Sequence, residues 1–526
     1  MQKSYYGYNY YMESGGCKLY TAVMLPDEKG KFPVVIKRNP YVNPSAKLSD
    51  DECLAVYMKE NEKWLKRGYG VVFQHCRGRG KSDGECEPFV NEREDGLNLQ
   101  AYIRKQSFYN GELFLWGGSY CCEVHYATAP FAEDIKGAIF RVCDTERYAF
   151  CYRNGFFKIS IFGDWFVTEM YRIRNGIRKN YTKKSFDILP LTEFSKTVYG
   201  EPIPLFDEYL KHPDCNDPFW DTYAGGKTER DALTDVQIPV LLETSWYDIF
   251  EGGIFKMWKK MTDAAKSRCA FVVSAYDHGD VPTSSPIAFS KASRAEFFGP
   301  EYDVDWCDYV RGKGKPVAKP GKVTYYNLFL NQWATDDFYT AKEKMKFTLG
   351  DKAVTYTYNP YDPPSFPGGL SSNFGGVAFE NKPGDRYDII NIYTEPFEKS
   401  VLVKGKMSAR LTVSSDCEDT AFYMRISIAK PEGDYGIRED IHSLCEFCPD
   451  YKPGDCVEIS FDFDEHAFLV APGERLRIDI ASADDNNYVR HTNYKGLFSE
   501  QTVAKVAHNT VHLDKSFLEI PVEPVE

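Results

Sequence analysis

No stretch of the chain reaches the roughly 18 consecutive apolar residues that a membrane-spanning helix requires. Its opening, MQKSYYGYNYYMESGG, also lacks the apolar core of a secretory signal. Together these absences predict a cytoplasmic protein with no membrane partner. Positive charge is in short supply too: 64 Lys and Arg against 77 Asp and Glu leave a net charge of −13. Phosphate binding needs a basic face, so a nucleic-acid partner is excluded. The one basic cluster, RIRNGIRKNYTKK at 172–184, reads as a solvated helix face rather than an anion site. Neither a short-period repeat nor a low-complexity tract is present. The 15 cysteines are odd in number and scattered without a secretory signal, which points to reduced thiols and away from a disulfide framework. His442, Cys445 and Cys448, in HSLCEFC, have metal-like spacing. A structural zinc takes four ligands, however, and the sequence offers no second pair, so no metal is expected.

What is present is apolar surface and a clear rhythm. The chain is 43% hydrophobic and 15% aromatic, a globular composition, and its 526 residues exceed one core and suggest roughly three domains. From residue 33 short strand-like runs alternate with helical patterns: PVVIKRNPY (33–41), a helix over 52–67, YGVVFQHC (69–76), a helix in NEREDGLNLQAYIRKQ, LFLWGGS (113–119) and IKGAIFRVC (135–143). That order predicts a parallel α/β sheet. Between 145 and 231 the strand signal stops and an aromatic segment containing Phe156, Phe157, Ile159, Phe162, Trp165 and Phe166 reads as a helical cap. The rhythm returns at IPVLLETSWYD (238–248) and CAFVVSAYDH (269–278). Past about 335 the period becomes two, as in Met407, Ala409, Leu411 and Val413, which predicts half-buried antiparallel strands of a sandwich or jelly roll. The expected division is therefore 1–144 and 232–335 for an α/β core, 145–231 for an inserted cap and 336–526 for an all-β domain.

Chemistry is concentrated where strands end. Gly117-Gly118-Ser119-Tyr120-Cys121 has the small-x-Ser-x-small form of a nucleophile elbow, a strand-to-helix turn that pushes a serine hydroxyl above the sheet. Partners in such a fold follow in the order Ser, acid, His at later strand ends. Asp248 closes one later strand and His278 the next, and among nine histidines only His278 lies at a strand end after a suitable carboxylate. His75 ends a strand but precedes the serine, and His212 falls in the cap. Asp277 and Asp280 are rivals for the partner of His278. The roles that follow are attack by Ser119, proton transfer by His278 and orientation of the imidazole by Asp248. An oxyanion needs donors in place before reaction; the elbow itself supplies the Tyr120 backbone N–H, and Tyr41 could supply its phenol. The competing readings are a loop-capping carboxylate, a core histidine and an aromatic plug, each plausible singly and weaker for the set.

These residues resemble the CocE/NonD hydrolases, the group of cocaine esterase, the Xaa-Pro dipeptidyl-peptidases and the α-amino-acid ester hydrolases. The resemblance covers nearly the whole chain and rests on RNPY (38–41), CRGRGKSDGE (76–85), EREDGLNLQAYIRKQSFYNGELFLWGGSY (92–120), HPDCNDPFW (212–220), WYDIFEGG (246–253), YDPPSFPGG (361–369) and DRYDIINIYTEPF (385–397). It implies an α/β-hydrolase core with a helical cap and a C-terminal jelly roll, Ser119, Asp248 and His278 as a triad, and Tyr41 and Tyr120 as oxyanion donors. It implies no cofactor, and a small ester or amide or a short peptide as substrate; self-association into a homo-oligomer stays open. Where the family's elbow continues to glycine, this chain has Cys122, which must alter the packing beneath the turn. Cys121 or Cys122 as the nucleophile is the sharp alternative, although neither occupies the apex. Ester hydrolysis is the preferred activity. A dipeptidyl-peptidase would further need carboxylates for a substrate ammonium, for which Asp164, Glu169 and Glu251 are candidates, and the chain is shorter than typical members with that activity. A non-catalytic binding protein built on the β-sandwich is the third reading, and fold alone does not exclude it.

Overall fold

The computed structural model describes residues 5–525 except 132–133, 144, 164, 167–186, 222–233, 235, 283–284 and 371–375. The basic cluster at 172–184 and the carboxylates Asp164 and Glu169 lie outside the described residues.

The runs read as strands form one twisted sheet: β1 Tyr6–Ser14, β2 Cys17–Leu25, β3 Phe32–Asn39, β4 Gly70–His75, β5 Tyr109–Gly118, β6 Ile135–Arg141, β7 Val240–Tyr247, β8 Ala270–Asp277, β9 Val323–Asn327 and β10 Gln332–Asp336. Their order is β1-β2-β4-β3-β5-β6-β7-β8-β9-β10. Neighbours from β4 through β9 pair in parallel, with an antiparallel hairpin at each edge. Parallel strands are covered on both faces, which is why β4, β7 and β8 are buried along their whole length and read as continuous apolar runs. The β1–β2 hairpin has no counterpart in the sequence reading. Its strands are rich in tyrosine, and they turn on Gly15 and Gly16 at φ of 51° and 76°, a two-residue connection that favours glycine.

Helices cover the faces: α1 Asp50–Glu60, α2 Glu92–Arg104, α3 Tyr120–Tyr126, α4 Glu251–Lys260 and α5 Tyr302–Val310. The helix expected over 52–67 starts at a capping box between Ser49 and Glu52 and is interrupted at Asn61.

Among the described residues the insertion after β6 is helical, as expected, apart from one short ribbon. Tyr152–Arg153 and Phe156–Phe157 form a two-stranded ribbon, turning on Asn154 and Gly155 at positive φ, and a π-helical turn follows at Ile159–Gly163. Short helices at Phe194–Tyr199 and Pro204–Tyr209 complete the described part of the cap. Phe157, Phe162, Phe206, Tyr209 and Trp220 pack into one aromatic cluster with Tyr120 and Val124 of α3, so this insertion sits directly over the elbow helix.

The C-terminal region holds two antiparallel sheets. In the first, β11 Glu343–Thr348, β20 Phe517–Pro524, β14 Val401–Ser415, β19 Ala507–His512 and β12 Ala353–Tyr358 are neighbours in that order, and β17 Val457–Val470 also pairs β14. The second runs β13 Ile390–Tyr393, β18 Arg475–Ala481, β15 Ala421–Lys430 and β16 Gly433–Ser443. Alternation gives the right inward faces, but β15 is not half-exposed: Tyr423, Arg425 and Ser427 on its polar face are all at 0% exposure. Phe156 of the cap and Phe366 of the preceding loop cover Tyr423, and Glu380 meets Arg425 at 2.6 Å.

Candidate active site

β5 ends at Gly118 and α3 begins at Tyr120, so the whole reversal falls on Ser119, whose φ of 55° and ψ of −136° are strained for a residue with a side chain. The turn is held by three backbone bonds: Ser119 N–H donates to Arg141 O at 3.0 Å, while Ser119 O accepts from the N–H groups of Cys122 at 2.8 Å and Glu123 at 3.2 Å. Of the two glycines before it, Gly117 is sterically obligatory, because a Cβ there would lie 1.9 Å from Cys121 O. A Cβ on Gly118 would meet Arg141 Cβ at an ordinary 3.4 Å.

Asp248 and His278 each follow the last residue of a strand, β7 and β8, and the parallel pairing of those strands brings them together. His278 Nδ1 donates to Asp248 Oδ1 at 2.8 Å. Asp248 is wholly buried; Thr244 Oγ1, four residues back in β7, donates to its Oδ2 at 2.7 Å, and Phe250 N–H lies 3.4 Å from Oδ1. With Nδ1 committed, Nε2 is the ring nitrogen left to exchange a proton. Phe250 packs against the imidazole with ring centroids 5.7 Å apart. The rival carboxylates are engaged elsewhere: Asp277 accepts from Gly279 N–H at 3.0 Å, and Asp280 binds Ser274 Oγ at 2.5 Å and Arg294 Nε at 3.2 Å. His75 is sealed beneath Tyr57, and His212 faces Asp217.

Tyr41 reaches the elbow from the loop after β3, and its hydroxyl faces the Ser119 side chain. Burial holds the phenol far above its usual range, so it keeps its proton and acts as a donor at neutral pH. Trp165 Nε1 of the cap donates to Tyr41 Oη at 2.9 Å. Tyr120 presents the first N–H of α3, which has no partner inside its own helix. Its side chain instead anchors the turn: Oη donates to Glu92 at 3.0 Å and accepts from Phe89 N–H at 2.8 Å, and Arg38 closes the set on Glu92 at 2.9 Å. Arg79 Nε holds Pro40 O at 2.6 Å, fixing the residue before Tyr41. Thus Arg38 and Pro40 of RNPY, the RGRG loop and the start of α2 brace Tyr41 and Tyr120.

Burial pushes the Cys121 thiol up to about 12, which leaves it protonated and a poor nucleophile. Cys122 is fully buried below the turn. His442 faces Asp440 and Glu446, Cys445 Sγ lies against Glu418 O, and among the described residues no group of three or more His, Cys, Asp or Glu is arranged to hold a metal ion. Glu251 corrects an expectation: it is wholly buried and faces Arg438 of β16 at 3.5 Å, so it is closed to a substrate ammonium. Two residues escaped the sequence reading, Thr244 and Trp165. Thr244 had a findable signal, a hydroxyl four positions before the acid; Trp165 had none, since only the folded cap brings it to Tyr41.

A cavity beside Tyr120 is walled by Phe89, Phe150 and Phe250, with Glu123 and Glu146 at its edge. Glu146 is paired with Lys256 at 2.8 Å and Lys260 at 3.7 Å.

The sequence matches the family of X-Pro dipeptidyl-peptidases (S15 family) over residues 15–280 and the X-Pro dipeptidyl-peptidase C-terminal non-catalytic domain over 316–518. Cocaine esterase of Rhodococcus sp. (strain MB1 Bresler) is 24% identical over 568 residues, covering 94% of this chain and 94% of that protein. An aminopeptidase from a marine sediment archaeon, Thaumarchaeota archaeon, superposes with a TM-score of 0.82 at 18% identity over 99% of this chain and 96% of that one. An α-amino acid ester hydrolase superposes with a TM-score of 0.80 at 17% identity over 99% and 97%. The superpositions speak for the fold, and the match over both halves of the chain speaks for descent: the protein belongs to the S15 X-Pro dipeptidyl-peptidase family and is a serine hydrolase of the CocE/NonD type.

Proposed function

We propose that Ser119, His278 and Asp248 form the catalytic triad, with the Tyr41 phenol and the Tyr120 backbone N–H as oxyanion donors. The observation that carries this reading is the Asp248–His278 bond of 2.8 Å from the ends of two adjacent strands, in a chain whose elbow serine is held at φ 55°. Ser119 Oγ attacks the acyl carbon and His278 Nε2 takes its proton; the carbonyl oxygen becomes the oxyanion. Collapse expels the alcohol or amine, which receives the proton from His278 and leaves an acyl-enzyme. Water, deprotonated by the same imidazole, releases the acid and restores the serine. Asp248 holds the tautomer and offsets the charge of the imidazolium.

The substrate is a small acyl ester. The likeness to cocaine esterase over 94% of both chains supports an ester, and Glu251, sealed against Arg438, is closed to the ammonium of a peptide substrate. The second reading, removal of X-Pro dipeptides, is favoured by the family match alone. All 15 cysteines are free thiols, in keeping with a reducing, cytoplasmic setting. The division at 144/145, 231/232 and 335/336 stays the reading of choice, the middle boundary falling outside the described residues.

The test compares kcat/KM for a short-chain p-nitrophenyl ester and a Gly-Pro anilide, with Ser119→Ala as the blank. Ester turnover with an inert anilide is expected, and Ser119→Ala should lower kcat by about 10⁶ and abolish fluorophosphonate labelling. Efficient anilide turnover would overturn the substrate assignment, and a loss under tenfold in Ser119→Ala would overturn the triad.

A further inference from the structure

Trp165 belongs to the cap, yet it touches both sources of oxyanion donors. Its Nε1 donates to Tyr41 Oη at 2.9 Å, and its ring stacks on Tyr120 with centroids 5.7 Å apart at 30°. Phe150 and Phe162 meet it at 5.1 and 6.0 Å, fixing the plane of the indole.

The chemistry of the pair is directional. An indole N–H can only donate, while a phenol has one proton to give and lone pairs to receive. Since Trp165 fills a lone pair of Tyr41 Oη, the phenol proton cannot turn toward the cap. It is left to the Ser119 side, where the Tyr41 hydroxyl already meets the serine side chain. Donation into a hydroxyl oxygen also polarises its own O–H and strengthens the bond that O–H makes. A residue with an acceptor at this place would do the reverse, competing for the proton and turning the phenol away from the site.

We infer that Trp165 is a positioning residue that orients the Tyr41 hydroxyl for the oxyanion, so that the cap completes a hole whose donors belong to the core. This rests on the reading of Tyr41 as an oxyanion donor. Trp165 acts through Tyr41 and makes its difference as negative charge develops on the carbonyl oxygen. The effect therefore falls on kcat rather than KM.

The experiment is a double-mutant cycle on ester hydrolysis with Trp165→Phe, Tyr41→Phe and the pair. Tyr41→Phe alone should lower kcat by about 10² to 10³, the weight of an oxyanion donor. Trp165→Phe should lower kcat by about tenfold, the weight of one neutral hydrogen bond, with KM changed less than about twofold. In the Tyr41→Phe background the same substitution should have no further effect. Replacing Trp165 by 3-benzothienylalanine, which keeps the shape and exchanges N–H for sulfur, should reproduce the Trp165→Phe loss without the change in packing. An unchanged kcat in Tyr41→Phe overturns the oxyanion reading itself. A normal Tyr41→Phe loss with a Trp165→Phe effect that persists in the double variant, or appears in KM, overturns the inference and leaves Trp165 as a packing or substrate contact.

Discussion

The edge formed by the strands' carboxyl ends, which carries Ser119, Asp248 and His278, and the seam where the jelly roll meets the core are both dense in buried polar groups, but they are held in contrasting ways. At the edge, each residue is placed by the end of its own strand, and the supports are close in the chain: Thr244 is four residues from Asp248, and Ser119 is pinned by the turn it makes. At the seam, charged groups far apart in the chain meet in the protein interior. Arg438 of β16 donates to Trp246 O at 2.6 Å and Glu465 O at 2.5 Å and faces Glu251 at 3.5 Å, while Arg153 of the cap ribbon binds Asp440 at 2.8 Å and Asp464 at 2.7 Å. In the proposed triad geometry serves chemistry, and charge pairing at the seam serves assembly. Substitutions should separate the two.

The sharpest separation comes from Asp248→Asn, which leaves the volume at the strand end unchanged but offers the imidazole the wrong hydrogen-bond partner. A fall in kcat of about 10⁴ is expected, with thermal melting nearly unmoved. A loss under tenfold would take Asp248 out of the site.

Arg438→Met should do the opposite. Its removal takes the donor from the buried carbonyls of Trp246 and Glu465 and a cation from beside the buried Glu251 carboxyl. Breaking one partner of a buried pair costs about 3–5 kcal/mol. Chemical denaturation should show a loss of that order, while the folded fraction keeps its kcat. Adding Glu251→Gln to Arg438→Met should restore part of the stability. If the single variant melts like the wild type, the seam is held by apolar packing and not by charge.

The same contrast explains what could be read in the sequence. Strand ends are local: a β-branched run followed by Asp248 or His278 announces its own boundary, and the glycine before Ser119 announces a turn, so the parallel sheet and the trio at its edge were legible. The jelly roll was legible in its inward faces, because period two survives whatever covers the other side. The outward face of β15 was not, since a period-two polar position reads as solvated until Glu380 and Phe366 are laid over Arg425. Glu251 was misjudged for the same reason: a carboxylate three residues after the acid looks available to substrate, and only β16, nearly 200 residues on, takes it away. The β1–β2 hairpin was passed over because β1 mixes its tyrosines with Gly7, Asn9, Glu13 and Ser14, residues of weak strand character, although LYTAVML of β2 carries a strand signal. Trp165 on Tyr41 depends on how the cap packs over the core, which no local pattern announces.

The smallest effect sharpens the seam side of the comparison through pH. His442 is buried between Asp440 and Glu446, bonded to them at 3.2 and 2.8 Å, with Asn154 and Arg153 of the cap and the rings of Phe447 and Phe461 around it. Burial disfavours its charged form, but the two carboxylates prevail and lift its pKa from 6.5 to about 9. A pKa raised on folding adds stability that is complete below the unfolded value of 6.5 and is lost as pH climbs through about 9. The wild type should therefore melt a few degrees above His442→Gln at pH 6, and the gap should close by about pH 9.5. Activity at the opposite end of the molecule's polar network should not follow this titration, because His442 contacts the cap ribbon and not the edge that holds His278. A gap that stays constant with pH would mean that His442 is a neutral spacer and that Arg153 alone supplies the cation that ties cap to jelly roll.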